Sequence, residues 1–381
     1  VARHDLPFPN KDSFSMLNGL KDVLPNRIEE CWRNGIFDEY SDQHFLIRAL
    51  YNDAEFFKPF FTEHQLTLKY GYDYHAFPDT FLMNLNSRIN FLYGCFGQSK
   101  IERFLKDQLS AGKQNYRQNA FFEALSELHL LSYFAAFGPS TISKMTYEPP
   151  MGSNGANPEA RFEYDNGIIL DIEAKTPNFP ERDRKKNIIL PGLLIDDSGR
   201  AALNAFCKQH GIECRFPRVL KLTDFFESAA KKFVVPMTPT HVNLLAINWT
   251  YADIKETALF EPTKLLCNQI NGIFFRKDIA LKMGISEEAL QKITAVFLYR
   301  ISEEALLFSD LRYLFKTRSY RIIMNPFIKH SDIQVVHDLT HMAVHLPQEL
   351  DDNLDVYFDL DQKDWSEELQ QIHRIIGDHL L

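Results

Sequence analysis

The chain is poor in cysteine: only 5 occur in 381 residues, an odd number at irregular spacing. That argues against a disulfide framework and sets the expectation of a reducing compartment. It is also short of positive charge, with 42 Lys and Arg against 51 Asp and Glu for a formal net charge of −9. A generally sticky nucleic-acid binder is therefore disfavoured, while a local basic groove on an acidic protein stays open. Long apolar runs are missing as well. The most apolar stretch, Leu128–Phe137, is interrupted by His129 and Ser132, far short of the roughly 20 residues needed to span a bilayer. Val1-Ala2-Arg3-His4-Asp5 lead straight into polar sequence, so the expectation is a soluble, cytoplasmic protein with no membrane partner. Internal repeats, a phosphate-binding glycine loop and a Gly-x-Ser-x-Gly elbow are all absent from the sequence.

Phenylalanine is abundant, with 32 copies, which predicts an aromatic-rich core. Residues 1–115 read as mainly helical, with apolar residues at helical spacing in Glu29–Phe37, Asp42–Phe57 and Ser87–Leu109, the last weakened by Gly94 and Gly97. Asn119–Phe137 reads as a helix stopped by Gly138-Pro139. A short strand (Lys144–Glu148), a turn-rich loop (Pro149–Asn157) and a hairpin (Glu159–Lys175) follow. After a charged loop come a helix (Leu220–Phe233), a buried strand (His241–Thr250) and strands at Ile293–Ile301 and Tyr320–Met324. An amphipathic helix (Lys363–Leu381) closes the chain. Helices alternating with apolar strands predict an α/β layered domain over 116–340, with 341–381 as a helical extension packed on it.

The hairpin carries the chemistry. Strand side chains alternate between faces, so Ile168, Leu170, Ile172 and Ala174 share one face, and Ile169, Asp171, Glu173 and Lys175 the other. On the first strand Ala160, Phe162 and Tyr164 form the apolar set. A two-residue Asn-Gly loop would pair Phe162 with Asp171 and split the apolar sets. A three-residue Asp165-Asn166-Gly167 loop, with Gly in the left-handed position, restores agreement. It pairs Tyr164 with Ile168, Phe162 with Leu170, Ala160 with Ile172 and Glu159 with Glu173. Facing carboxylates repel, so this pairing makes sense if a cation sits between them. A hard divalent ion, Mg²⁺ or Mn²⁺, suits oxygen ligands. Asp171 falls opposite Arg161, which favours an ion pair there over metal ligation.

Pro158-Glu159 followed after a short hairpin by Glu173-Ala174-Lys175 resembles the PD-(D/E)xK motif of the restriction-endonuclease-like nucleases. The strand end Tyr147-Glu148-Pro149 and the acidic helix Phe122-Glu123-Ala124-Leu125-Ser126-Glu127-Leu128 resemble the same family, over roughly Asn119 to Thr250. The resemblance implies a restriction-endonuclease-like mixed sheet flanked by helices. By carry-over, Glu159, Glu173 and the Ala174 carbonyl would hold the metal, Lys175 would position or polarise the attacking water, and Glu127 would assist. Helical geometry independently sets Glu127 amid Ala120, Ala124, Leu131 and Phe134, where a buried carboxylate needs a partner. One departure stands out. The family's usual Asp is Glu159 here, and the extra methylene would weaken metal binding or shift preference to Mn²⁺.

The implied activity is metal-dependent hydrolysis of phosphodiester bonds in DNA, with RNA as an alternative, in host defence or mobile-element processing. Arg182, Arg184, Lys185 and Lys186 form a basic cluster suited to phosphates, and Lys231 and Lys232 lie where such enzymes place a polar residue on the following helix. The N-terminal region would serve a homodimer or a partner protein. Two other readings stand beside this one: a nucleic-acid-binding or scaffolding protein with a degenerate nuclease fold, and an unrelated α/β domain with a solvated hairpin. Three further constellations are noted. Cys207, His210 and Cys214 offer ligand types for zinc without an evident fourth partner. His337, His341 and His345 would line one helical face if that stretch is helical. Ile279–Leu290 with Gly284 resembles a helix-turn-helix only superficially.

Overall fold

The computed structural model describes residues 28, 31, 34–37, 43–50, 55, 77–112, 115–152, 155–177, 188–189, 195–212, 214–216, 219–249, 259–301, 320–350, 357–358 and 366–379. These fall into two compact units. The first holds the described residues up to Ala136 together with Ile301, and the second holds the rest from Phe137 onward.

The first unit is helical: α1 (Phe45–Leu50), α2 (Phe77–Phe96), α3 (Gln98–Phe104), a π turn (Leu105–Leu109) and α4 (Gln118–Ala136). The helix expected over Ser87–Leu109 is broken at Gly97, whose φ of +85° ends α2 and starts α3. Of the Glu29–Phe37 helix most residues lie outside the described ones, and 34–37 form a turn. The aromatic core predicted by composition is present, with Phe45 within 5.6 Å, centroid to centroid, of Phe81, Phe121 and Phe122. His44 is buried against Phe37, Tyr116 and Phe121. Burial pulls its pKa down to about 4, so it is a neutral core residue.

The second unit is α/β: β1 (Ile142–Tyr147), β2 (Ala160–Tyr164), β3 (Ile169–Lys175), β4 (Ile188–Ile189), α5 (Asp197–Gln209), β5 (Cys214–Arg215), α6 (Val219–Lys232), β6 (His241–Asn248), α7 (Phe260–Cys267), α8 (Lys277–Lys282), α9 (Glu287–Lys292), β7 (Ala295–Tyr299), β8 (Tyr320–Met324), α10 (Ile333–Thr340), β9 (Val344–His345), β10 (Tyr357–Phe358) and α11 (Ser366–Asp378). Seven strands form a mixed sheet in the order β1-β2-β3-β6-β7-β8-β9, flanked by helices, and β10-β4-β5 form a small second sheet. β3, β6 and β7 run parallel; the β1-β2-β3 and β7-β8 pairs are antiparallel.

The hairpin register follows from the alternation of its side chains. Ala160 pairs with Ile172, Arg161 with Asp171 and Phe162 with Leu170. The turn closes through Tyr164 N–H to the Ile168 carbonyl and Gly167 N–H to the Tyr164 carbonyl, both 2.9 Å, with Gly167 at φ +81°. Beyond the last regular pair, Glu159 N–H donates to the Ile172 carbonyl at 2.9 Å. β3 joins β6 in parallel, Glu173 beside Leu245 and Lys175 beside Ile247. Its polar face therefore continues sideways into an apolar core built from Leu245, Ile247, Val296, Leu298 and Ile323.

α6 covers that core. Val219, Leu222, Phe226, Ala229 and Ala230 recur at spacings of three and four and are all buried. Burial of each large side chain such as Leu222 or Phe226 stabilises by roughly 1.5–3 kcal/mol. The end of the helix is fixed by polar contacts. Lys292 Nζ donates to the Ala230 carbonyl at 2.8 Å, and Asn243 Nδ2 donates to the carbonyls of Val234 and Lys292, both at 2.6 Å. α8 and α9, on either side of Gly284 (φ +89°), give Ile279, Ala280, Ala289 and Leu290 to the same core, so the helix-turn-helix look-alike is a packing unit. The histidine stripe does not form. α10 stops where His341 adopts φ +52°, and His345 lies on β9. No helix among the described residues is long and apolar enough to cross a membrane.

Candidate metal and phosphodiester site

The C-terminal end of β3 lies where strands of open α/β sheets present ligand sites. Glu173 is fully buried there, and two ammonium groups crowd its Oε1: Lys175 Nζ at 2.5 Å and Lys232 Nζ at 2.7 Å. Lys232 also reaches Glu159 Oε1 at 3.3 Å. Its ammonium thus bridges the two carboxylates that hairpin geometry brings together. Both contacts to Oε1 lie at ion-pair distance without the direction of a hydrogen bond, and the buried Oε2 of Glu173 has no hydrogen-bond partner among the described residues.

Lys232 occupies this position for reasons local to α6. It is the last residue of the helix, one before the buried Phe233, and is half-buried with its ammonium reaching both carboxylates. Lys231, one residue earlier and rotated by 100°, is exposed. Of the two lysines named from the sequence, the second enters the site. A sequence signal existed for it, namely the α6 stripe. Gly152 fits close against the same helix end. An added Cβ would collide with the Ala156 carbonyl and lie 2.5 Å from the Lys231 carbonyl and 2.8 Å from Lys232 Cα. Because these neighbours are backbone, Gly152→Ala is expected to lower stability by at least about 1–3 kcal/mol. Denaturant midpoints check this, and an unchanged midpoint would show that the loop moves freely off α6.

Electrostatics follow burial. Burial, then the Glu173 charge, pushes the Glu159 pKa up to about 7 against the opposing pull of Lys232 and Lys175. Burial pulls the Lys232 ammonium down, but Glu159 and Glu173 more than offset it, so its pKa is raised. The unfolded chain releases the Glu159 proton near its ordinary 4.5 and the folded chain near 7. Between those values the folded state holds more protons, so stability is greatest below the lower value and falls as pH rises towards 7. The drop amounts to no more than about 3 kcal/mol. Urea midpoints at pH 5 and pH 8 are expected to fall further for wild type than for Glu159→Gln; equal falls would contradict the assignment.

Next along the same strand face, Asp171 is fully buried. Arg161 clasps it through Nε to Oδ1 and Nη2 to Oδ2, both 2.7 Å. His241 Nε2 lies 2.8 Å from Oδ2, a neighbour visible only once β3 and β6 are paired. Asp171 is thus engaged by an arginine and a histidine rather than directed at a metal.

Glu127 is buried on α4, in the first unit. Ala174 is half-buried on β3. Arg182, Arg184, Lys185 and Lys186 lie outside the described residues. Cys207 packs in a small core with Leu203 and Ile372, and His210 ends α5 at 4.0 Å from Glu368.

Among the described residues, no group of three or more His, Cys, Asp or Glu side chains gathers to hold a metal ion. A site here would rest on two carboxylates and the Ala174 carbonyl. That donor set is all oxygen and suits Mg²⁺ or Mn²⁺, ions that keep several waters and take few protein ligands. The unpartnered Oε2 of Glu173 fits the same need. Compared with known protein families, curated proteins and solved structures, the chain matches none.

Proposed function

We propose that this protein is a divalent-metal-dependent nuclease of restriction-endonuclease-like fold, hydrolysing phosphodiester bonds in DNA. The observation that carries the reading is the convergence of Glu159, Glu173 and Lys175 at the C-terminal end of a central strand, with one buried carboxylate oxygen that has no hydrogen-bond partner among the described residues. Glu159, Glu173 and the Ala174 carbonyl would hold Mg²⁺ or Mn²⁺, which when bound supplies a polarised phosphoryl oxygen and a more acidic water. Lys175, paired with Glu173, would orient that water and balance charge that builds on the phosphate. The buried face of β3 keeps these groups poorly solvated, which strengthens their fields. Arg182, Arg184, Lys185, Lys186 and Lys231 join the proposal as contacts to nucleic-acid phosphates. Host defence or mobile-element processing, a cytoplasmic setting and assembly through the N-terminal region belong to the same proposal.

One observation favours a second reading. With Glu159 ionised, two carboxylates and two ammonium groups already balance in charge without a metal, as expected of a nucleic-acid-binding scaffold that has lost cleavage. Plasmid and RNA digestion in Mg²⁺, Mn²⁺ and EDTA, with wild type and Glu173→Gln, separates the two. Metal-dependent cutting that vanishes in Glu173→Gln supports the nuclease. Binding of DNA without cutting in either metal supports the scaffold.

A further inference from the structure

We infer that Lys232 is a built-in competitor of the divalent ion, holding the position between Glu159 and Glu173 that the ion needs. This deepens the nuclease reading above and rests on it. The ammonium lies 2.7 Å from Glu173 Oε1 and 3.3 Å from Glu159 Oε1, so one positive centre already links both carboxylates. Glu173 is fully buried on a central strand and cannot follow a departing partner. Lys232 can leave: its side chain is 21% exposed, on the last residue of α6, with a flexible four-carbon stem.

Charge counting gives the consequence. With both lysines in place and Glu159 ionised, as it is above about pH 7, the four groups sum to zero, and a divalent ion added beside them leaves an excess of two positive charges in a poorly solvated site. Withdrawal of the Lys232 head removes one of these, and a phosphodiester brings a compensating negative charge. The ion therefore binds weakly alone and firmly when phosphate is present, and the displaced ammonium stays within reach of that phosphate. Lys175 differs, since among the described residues its ammonium pairs with Glu173 and makes no ion pair with Glu159.

Calorimetric titration of the full chain with MnCl₂, without nucleic acid, tests this. Lys232→Met is expected to bind Mn²⁺ at least about tenfold more tightly than wild type, and Lys175→Met to gain clearly less. In EDTA the Lys232→Met protein should melt below wild type, and saturating Mn²⁺ should raise its Tm by more than it raises that of wild type. Should the methionine variant not fold, Lys232→Gln replaces it, and Lys232→Arg, which keeps the charge, should show no gain. Equal gains in Lys232→Met and Lys175→Met would overturn direct displacement in favour of a diffuse charge effect. Unchanged or weaker binding in Lys232→Met, with measurable binding in wild type, would overturn the inference while leaving the metal site standing. No saturable binding in any variant would remove the metal site and the inference together.

Discussion

Arg161→Leu is expected to cost about 3–5 kcal/mol of folding stability, the usual penalty for stranding one member of a buried ion pair. Asp171 has no exposure and Arg161 supplies both of its in-plane bonds at 2.7 Å. Removing the guanidinium leaves a buried carboxylate with His241 as its remaining side-chain partner among the described residues. The double variant Arg161→Leu/Asp171→Leu should recover much of the loss, because it removes the charge as well as its partner. Urea unfolding of the three proteins measures this. A single-variant loss under about 1 kcal/mol, the range of exposed pairs, would mean that solvent reaches the pair.

Lys175→Met carries the largest expected effect on activity. If Lys175 balances charge on the reacting phosphate, its loss should lower kcat by about 10²–10³-fold, as for removal of a single preorganised donor. Stability should change little by comparison, since Glu173 keeps Lys232 as a counter-ion. Single-turnover cleavage at saturating Mn²⁺, set beside the melting temperature, separates the two effects. A rate within a few fold of wild type would demote Lys175 to a structural counter-ion. A large loss of stability alongside a lost rate would show that the cluster needs both ammonium groups to fold.

Parts of the molecule differ in how far local sequence determines them. Hairpin register was legible because its determinants are local: alternation along Ala160–Tyr164 and Ile168–Ala174, and one glycine in the turn that takes φ +81°. The Arg161–Asp171 pair followed from that register alone. The carboxylate repulsion at Glu159 and Glu173 was legible too, but the cation found between them is Lys232, from an element 57 residues further along than Lys175. Its arrival depends on where α6 docks and stops, which Asn243 and Lys292 decide through long-range contacts to Val234 and Ala230. His241 was hidden for the same reason, since parallel pairing of β3 with β6 joins segments that sequence patterns treat separately. The histidine stripe failed because periodicity says nothing of where a helix ends, and α10 ends in the left-handed conformation of His341. Gly97 shows the opposite case: a breaker visible in the sequence, whose left-handed φ divides the expected Ser87–Leu109 helix.

The most direct measurement of the central claim is anomalous diffraction from crystals soaked in MnCl₂, with and without a short DNA duplex. One Mn²⁺ peak is expected in contact with Glu159, Glu173 and the Ala174 carbonyl, with the Lys232 ammonium moved out of the space between the carboxylates and higher occupancy when DNA is present. A map with no peak there at saturating Mn²⁺, and Lys232 still bridging both carboxylates, would contradict it.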